Sequence, residues 1–144
     1  MPKGRLTIAT TDLLAHEVNG VGVVTLNRLE AINSLNQPMV SAMHTALTGW
    51  ATDDDVHTVI LTRARGRGLC AGGDVVAIYR STRADGEKAR RVWYDEYLLN
   101  ARIRHYPEPF VSLMDGIVIG EASESAHTLQ CASSPTPRKW PCRR

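Results

Sequence analysis

An α/β fold, a sheet with crossover helices, is what this sequence predicts, and three observations carry the prediction. Apolar runs of strand length alternate with stretches of helical periodicity in the order strand, helix, strand, helix, strand. The first two runs, Leu13–Val18 and Val21–Leu26, flank Asn19-Gly20, a strong hairpin signal because both residues accept positive φ. The composition of the 144 residues, 43% hydrophobic and 22% charged, is that of an ordinary soluble domain or part of a larger one.

The elements follow in order. Residues 1–12 read as a flexible arm. After the hairpin, Asn27 to Asn36 reads as a loop. Met39, Val40, Met43, Ala46, Leu47 and Trp50 then recur at helical spacing, with Asn36 as cap and Pro38 in the first turn. Val56–Thr62 is a buried strand and Arg63–Gly73 a Gly- and Arg-rich loop. Asp74–Thr82 is a short helix entered from that loop. Glu87–Arg104 is a longer one, with Trp93, Tyr97, Leu98 and Ile103 available to pack, and Pro107 and Pro109 end it. Phe110–Met114 is a second buried strand, Asp115-Gly116 turns the chain, and Ile117–Ile119 is apolar again. No internal repeat is present. At Gly120 the character changes: residues 121–144 lack both periodicities and hold Pro135, Pro137 and Pro141, as a disordered tail does.

Several chemistries are disfavoured. The net charge of +2 is too small to imply a nucleic-acid or membrane partner. No apolar run approaches the roughly 18 residues of a membrane span, and the N-terminus has no apolar core of signal-peptide type, so a cytoplasmic protein is expected. The three cysteines, Cys70, Cys131 and Cys142, form no CxxC pair. The five histidines are scattered without a second ligand at i+3 or i+4, so no metal is expected.

The segment with most chemical content is Gly68-Leu69-Cys70-Ala71-Gly72-Gly73-Asp74. Its small residues let a ligand approach the backbone, and it leads into a helix N-terminus, where N–H groups are unpaired and point outward. Such donors stabilise the oxygen of a polarised thioester; a simple tight turn would show the same residues. Cys70 lacks a neighbouring base and reads as a buried small residue rather than a nucleophile.

Longer motifs narrow these readings. Leu26-Asn27-Arg28 with Ala31-Ile32-Asn33-Ser34-Leu35 resembles the acyl-CoA loop of the crotonase (enoyl-CoA hydratase/isomerase) family. Leu69-Cys70-Ala71-Gly72-Gly73-Asp74 resembles that family's first oxyanion-hole loop. Tyr94-Asp95-Glu96-Tyr97-Leu98-Leu99-Asn100, followed by Pro109 to Ile117, is similar to the 3-hydroxyisobutyryl-CoA hydrolase branch. The match covers about residues 13 to 120, the N-terminal part of a crotonase-like domain, a partial ββα-repeat spiral core. The resemblance implies a backbone oxyanion donor at Gly73 and a substrate-contacting carboxylate at Glu96, which by spacing alone could equally sit on a solvated helix face. It implies Ala31 and Asn33 along the coenzyme A path through backbone groups, and Ala71, Gly72, Asp74 and Gly120 as further substrate-binding positions. Arg63, Arg65 and Arg67 are either phosphate contacts or ordinary surface arginines. The substrate is an acyl-CoA, no separate cofactor is implied, and intact family members are often homo-oligomers.

The resemblance stops at Gly120. Glu121 stands where the family's second donor, the middle residue of a Gly-Gly-Gly run, belongs; an ionised carboxylate there repels a developing oxyanion, so this position is expected to be non-functional. The hydrolases' catalytic glutamate and a following aspartate are also absent. Restoring one base near the Gly120/Glu121 codons permits Gly-Gly-Gly-Val-Gly-Val-Ser-Ala-His there and Lys-Met-Ala-Met-Pro-Glu at the far end. The hypothesis is therefore a frameshifted tail on a truncated, catalytically inactive chain; gene DNA that needs no inserted base would sink it. An enoyl-CoA hydratase or isomerase, and a non-catalytic fragment or weak coenzyme A binder, are the alternatives.

Overall fold

In the structure, a computed structural model that describes residues 6–120, Asn19-Gly20 forms the tight turn its chemistry requires, with φ of 51° and 80°. Three strands open the chain: β1 (Thr7–Ala9), β2 (Leu13–Val18) and β3 (Val21–Leu26). β2 and β3 pair antiparallel from Leu13 opposite Leu26 to Val18 opposite Val21. A loop with a one-turn 3-10 helix (Leu29–Ala31) leads into α1 (Gln37–Trp50), which returns the chain to β4 (Thr58–Arg63), parallel to β3. The chain continues through β5 (Gly68–Cys70), α2 (Val75–Thr82), α3 (Glu87–Arg104), β6 (Phe110–Ser112) and β7 (Ile117–Val118). The main sheet has the order β1-β2-β3-β4-β6, with β6 parallel to β4; β5 and β7 form a second, two-stranded parallel sheet.

The helical stripe read from the sequence is the buried face of α1: Met39, Val40, Met43, Ala46, Leu47 and Trp50 are all in the core. Asn36 caps it, its Oδ1 accepting the Met39 N–H at 3.0 Å, and Pro38 lies in the first turn, where a missing N–H costs nothing. Trp50, 1% exposed, packs face-on against β3 at Gly22. A Cβ built on Gly22 would sit 2.6 Å from the Trp50 ring, so only glycine lets α1 lie this close to the sheet. Tyr106, just past α3, donates its hydroxyl to the Leu47 carbonyl at 2.9 Å and joins the C-terminal end of α3 to α1. Burial, then the Glu108 charge, outweigh Arg102 and push its phenol up to about 12.

Three expectations need correction. Within the arm expected over residues 1–12, Thr7–Ala9 is a strand: it pairs antiparallel with β2, and Leu6 and Ile8 pack against the core. The loop expected over Arg63–Gly73 contains β5, three buried residues whose strand pairing depends on Ile117–Val118, far along the chain. On α3 the buried stripe is Ala89, Glu96, Leu99 and Ile103, at spacings of 7, 3 and 4, so Trp93, Tyr97 and Leu98 face outward. Tyr94 of α3 and Val75, Val76 and Tyr79 of α2 are exposed as well. The tail expected over residues 121–144 lies outside the described residues.

Because Gly22 meets Trp50 so closely, Gly22→Ala is expected to lower stability by about 1–3 kcal/mol through overpacking. Urea unfolding followed by tryptophan fluorescence measures this; an unchanged midpoint would show that α1 yields without cost.

Candidate active site

Two loops meet where β3 hands over to α1 and β5 to α2. Hydrogen bonds close them together along their length. Ala71 donates to the Ile32 carbonyl (3.0 Å), Leu35 to Gly72 (2.8 Å) and Asp74 back to Leu35 (2.9 Å). The Cys70 thiol lies 3.2 Å from the Asn33 carbonyl, and Asn33 Nδ2 donates to the Gly68 carbonyl at 3.3 Å. To make these bonds the first loop adopts left-handed backbone at Ile32 (φ 49°) and Asn33 (φ 55°). That conformation is unusual for a β-branched residue, so the inter-loop bonds hold Ile32 where it would not rest alone. Asn33 is buried, and its Oδ1 accepts the Arg28 N–H at 2.8 Å.

Leu35 and Gly73 form an isolated parallel bridge. In that pairing the bonds to Leu35 come from the neighbours, Gly72 and Asp74, so Gly73 turns its own N–H away from Leu35. Among the described residues this N–H makes no backbone hydrogen bond. Two glycines with positive φ, Gly72 (86°) and Gly120 (72°), lie back to back beside it. A Cβ on Gly120 would be 3.1 Å from the Gly72 Cα, so the chain end of β7 is laid directly on the Gly72-Gly73 turn. The bond from Ile119 N–H to the Cys70 carbonyl (2.9 Å) holds it there.

α3 brings a carboxylate to the same place. Glu96 is 4% exposed, and its Oε2 lies 3.8 Å from where a Gly73 Cβ would be. Of the two readings open for Glu96, the solvated helix face is therefore excluded. On the other side of the turn Asp74 caps α2, accepting the Ala77 N–H at 3.0 Å, and pairs with Arg28 at 2.7 Å. Burial pushes the Asp74 carboxyl up, but the bonds from Ala77, Arg28 and Val76 and the Arg28 charge outweigh it and hold the group below its ordinary value.

The structure thus gathers Gly72, Gly73, Asp74, Glu96 and Gly120 around one turn, with Ala71 bonded into its base. Ala31 and Asn33 lie on the facing loop, Ala31 at the end of the 3-10 turn. Glu121 lies outside the described residues. Of the three arginines considered, Arg63 pairs with Asp115, while Arg65 and Arg67 are exposed. Cys70 is buried and stitches the loops together, as its lack of a base implied. Arg28 and Ser34, which hold the loops by side-chain bonds, had no assigned role; the only sequence signal for them was an arginine ahead of the Asn33 turn with an aspartate at a helix cap. Among the described residues no three His, Cys, Asp or Glu side chains gather as metal ligands, and no helix is long and apolar enough to cross a membrane.

The described residues thus combine a sheet with crossover helices, two interlocked loops and a glycine N–H turned away from Leu35 near a buried glutamate. A family model, enoyl-CoA hydratase/isomerase, matches residues 21–122, and the chain belongs to that family. The mitochondrial 3-hydroxyisobutyryl-CoA hydrolase of Xenopus tropicalis is 35% identical over 114 residues, 79% of this chain and 30% of that protein. The Homo sapiens protein of the same name is 32% identical over 114 residues, again 79% and 30%. A crystal structure described as a carnitinyl-CoA dehydratase from Mycobacterium thermoresistibile is 54% identical, with a TM-score of 0.79, over 84% of this chain and 36% of that one. An enoyl-CoA hydratase from Rhodobacter sphaeroides 2.4.1 is 38% identical, with a TM-score of 0.70, over 77% and 33%. The chain spans about a third of the length of these four proteins, and its described part is the corresponding part of the crotonase fold.

Asp74 makes stability pH-dependent with a definite sign. Its folded pKa is depressed, so its contribution is complete above the unfolded value of about 3.9 and is lost as pH falls through the lower folded value. Unfolding midpoints of the wild type should therefore drop over this acid range. Asp74→Asn, which still caps α2 but cannot ionise, should flatten that part of the curve; an identical acid slope in both proteins would show that other carboxylates set it.

Proposed function

We propose that the Gly73 turn and Glu96 form one half of a site that hydrolyses a short-chain hydroxyacyl-CoA thioester, of the 3-hydroxyisobutyryl-CoA kind met in valine breakdown. The 144-residue chain alone does not turn that substrate over. The observation that carries this reading is the Gly73 N–H, which makes no backbone hydrogen bond among the described residues and is directed away from Leu35, on a residue that lies beside the buried Glu96 carboxylate. When water adds to the thioester carbonyl, charge develops on its oxygen; an N–H already aimed at that oxygen stabilises it, and one such donor contributes about 2.7–4 kcal/mol. Collapse of the adduct expels the coenzyme A thiolate, which takes up a proton, and leaves the acid. A second carboxylate is needed to activate the water or to attack. On this reading that group, and the second donor, are encoded in the other frame beyond Gly120. Glu96 contacts the acyl group, Ala71, Gly72, Asp74 and Gly120 surround it, and Ala31 and Asn33 present backbone groups to coenzyme A.

The 54% identity to a protein described as a carnitinyl-CoA dehydratase favours a second reading, addition or removal of water at the acyl chain rather than at the thioester. The same donor serves either reaction, because both place charge on the thioester oxygen. The compartment is a separate part of the proposal: the sequence points to the cytoplasm, while the vertebrate relatives are named as mitochondrial.

The test is thiol release from 3-hydroxyisobutyryl-CoA by the 144-residue chain and by a version with one base restored near Gly120, beside enoyl-CoA hydration by both. Thiol release by the restored protein alone is the expected result, with Glu96→Gln in that protein raising KM or lowering kcat. Enoyl-CoA turnover without thiol release would select the second reading. Turnover by the 144-residue chain would overturn the account of its missing half.

A further inference from the structure

Arg28 is the only cation whose bonds reach both loops of the site among the described residues. Its Nη1 donates to the Ser34 carbonyl at 3.0 Å and to the Ser34 Oγ at 3.2 Å, and its Nη2 lies 2.7 Å from Asp74 Oδ2. Its backbone N–H is taken by Asn33 Oδ1 and its carbonyl accepts the Asn33 N–H, both at 2.8 Å, so the residue itself is fixed from both sides. Leu35, which follows Ser34, sits between Gly72 and Asp74 in the bridge that sets the direction of Gly73. Both ends of the Arg28 fork therefore lie one residue from a member of that bridge. The side chains are mostly covered, 18% exposed for Arg28 and 14% for Asp74, so the contact is not an ordinary surface pair screened by water.

We infer that Arg28 is a positioning residue: by clamping Ser34 to Asp74 it fixes the Leu35–Gly73 bridge and so the direction of the Gly73 N–H. The functional part of this inference rests on Gly73 acting as an oxyanion donor; the mechanical part does not. A guanidinium suits the task better than an ammonium, since its planar fork bonds two partners at fixed angles while remaining charged. The glycine turn has no side chain of its own to hold it, so its orientation must be imposed by neighbours.

The experiment uses the full chain labelled with nitrogen-15, as wild type, Arg28→Met, Arg28→Lys, Asp74→Asn and Arg28→Met/Asp74→Asn. Amide hydrogen exchange is read at Leu35, Ala71 and Asp74, whose N–H groups close the two loops, and at β2–β3 as a reference. Arg28→Met should speed exchange at the three loop amides by about tenfold, as expected for loss of a charge-assisted bond, and leave β2–β3 unchanged. Arg28→Lys should restore part of the protection. Asp74→Asn keeps the helix cap and breaks the pair from the other side, so it decides the matter if Arg28→Met does not fold. The double variant should be no faster than the more affected single one. Equal protection in all proteins, or uniform acceleration that includes β2–β3, would overturn the inference. In parallel, the absorbance of bound cinnamoyl-CoA reports polarisation of the thioester. A red shift in wild type that Arg28→Met abolishes supports the functional part, and one that Arg28→Met leaves intact removes it. Absence of any shift in wild type counts against Gly73 as donor, while the exchange data still decide the role of Arg28.

Discussion

Leu35 enters the turn before α2 as though adding one residue of strand, accepting from Asp74 and donating to Gly72. The rest of the site depends on this two-bond contact. It fixes which way the peptide between Gly72 and Gly73 faces, and the peptide direction decides whether the Gly73 N–H is consumed inside the protein or left for a ligand. It also sets the start of α2, because Asp74 both takes part in the contact and caps the helix. The end of β7 passes over the same turn, and glycine is favoured at Gly72 and Gly120 because both take positive φ, with a Cβ on Gly120 also coming within 3.1 Å of the Gly72 Cα.

Rigid and strained parts of the chain divide the work between them. The five-stranded sheet with α1 packed on it encloses an apolar core in which Gly22 and Trp50 interlock. The first site loop leaves this sheet at the end of β3, and the second leaves β5 of the two-stranded sheet. Strain gathers in the loops, where Ile32 and Asn33 carry positive φ. Inter-loop bonds and the Arg28–Asp74 pair offset that strain. Lowering of the Asp74 pKa belongs to the same arrangement: the bonds and charge that hold the turn also keep the carboxylate ionised.

Helix α3 shows how one element can face two demands. Its inward stripe carries Glu96 among Ala89, Leu99 and Ile103, so a charged residue type lies within an otherwise apolar face. Burying a carboxylate is costly unless its surroundings are arranged for it, which marks such a residue as a functional candidate. Its outward face carries Trp93, Tyr94, Tyr97 and Leu98, and α2 exposes Val75, Val76 and Tyr79. An apolar face of this kind on a chain that spans about a third of its relatives' length is also where aggregation would begin.

Local chemistry alone makes much of this fold legible. Asn19-Gly20 could form only a tight reversal between two apolar runs, and the stripe from Met39 to Trp50 could bury only one helix face, so β2, β3 and α1 were readable almost to the residue. By residue type and order alone the Gly72-Gly73 segment leading into Asp74 could be a ligand-approach loop or a simple tight turn, and only the longer motifs around it pointed to the former. What the sequence could not show was anything depending on partners far along the chain. β1 and β5 are too short to carry a period and exist because β2 and β7 complete their hydrogen bonds. Glu96 and the aromatic residues of α3 share one helix, and only packing decided which stripe turned inward. Whether Gly73 would spend its N–H on Leu35 was likewise decided by tertiary structure, because Leu35 arrives from another loop and bonds Gly72 and Asp74 instead. Nearest-neighbour chemistry determines turns, caps and periodicity; direction and burial at a site come from contacts that exist only once the chain has folded.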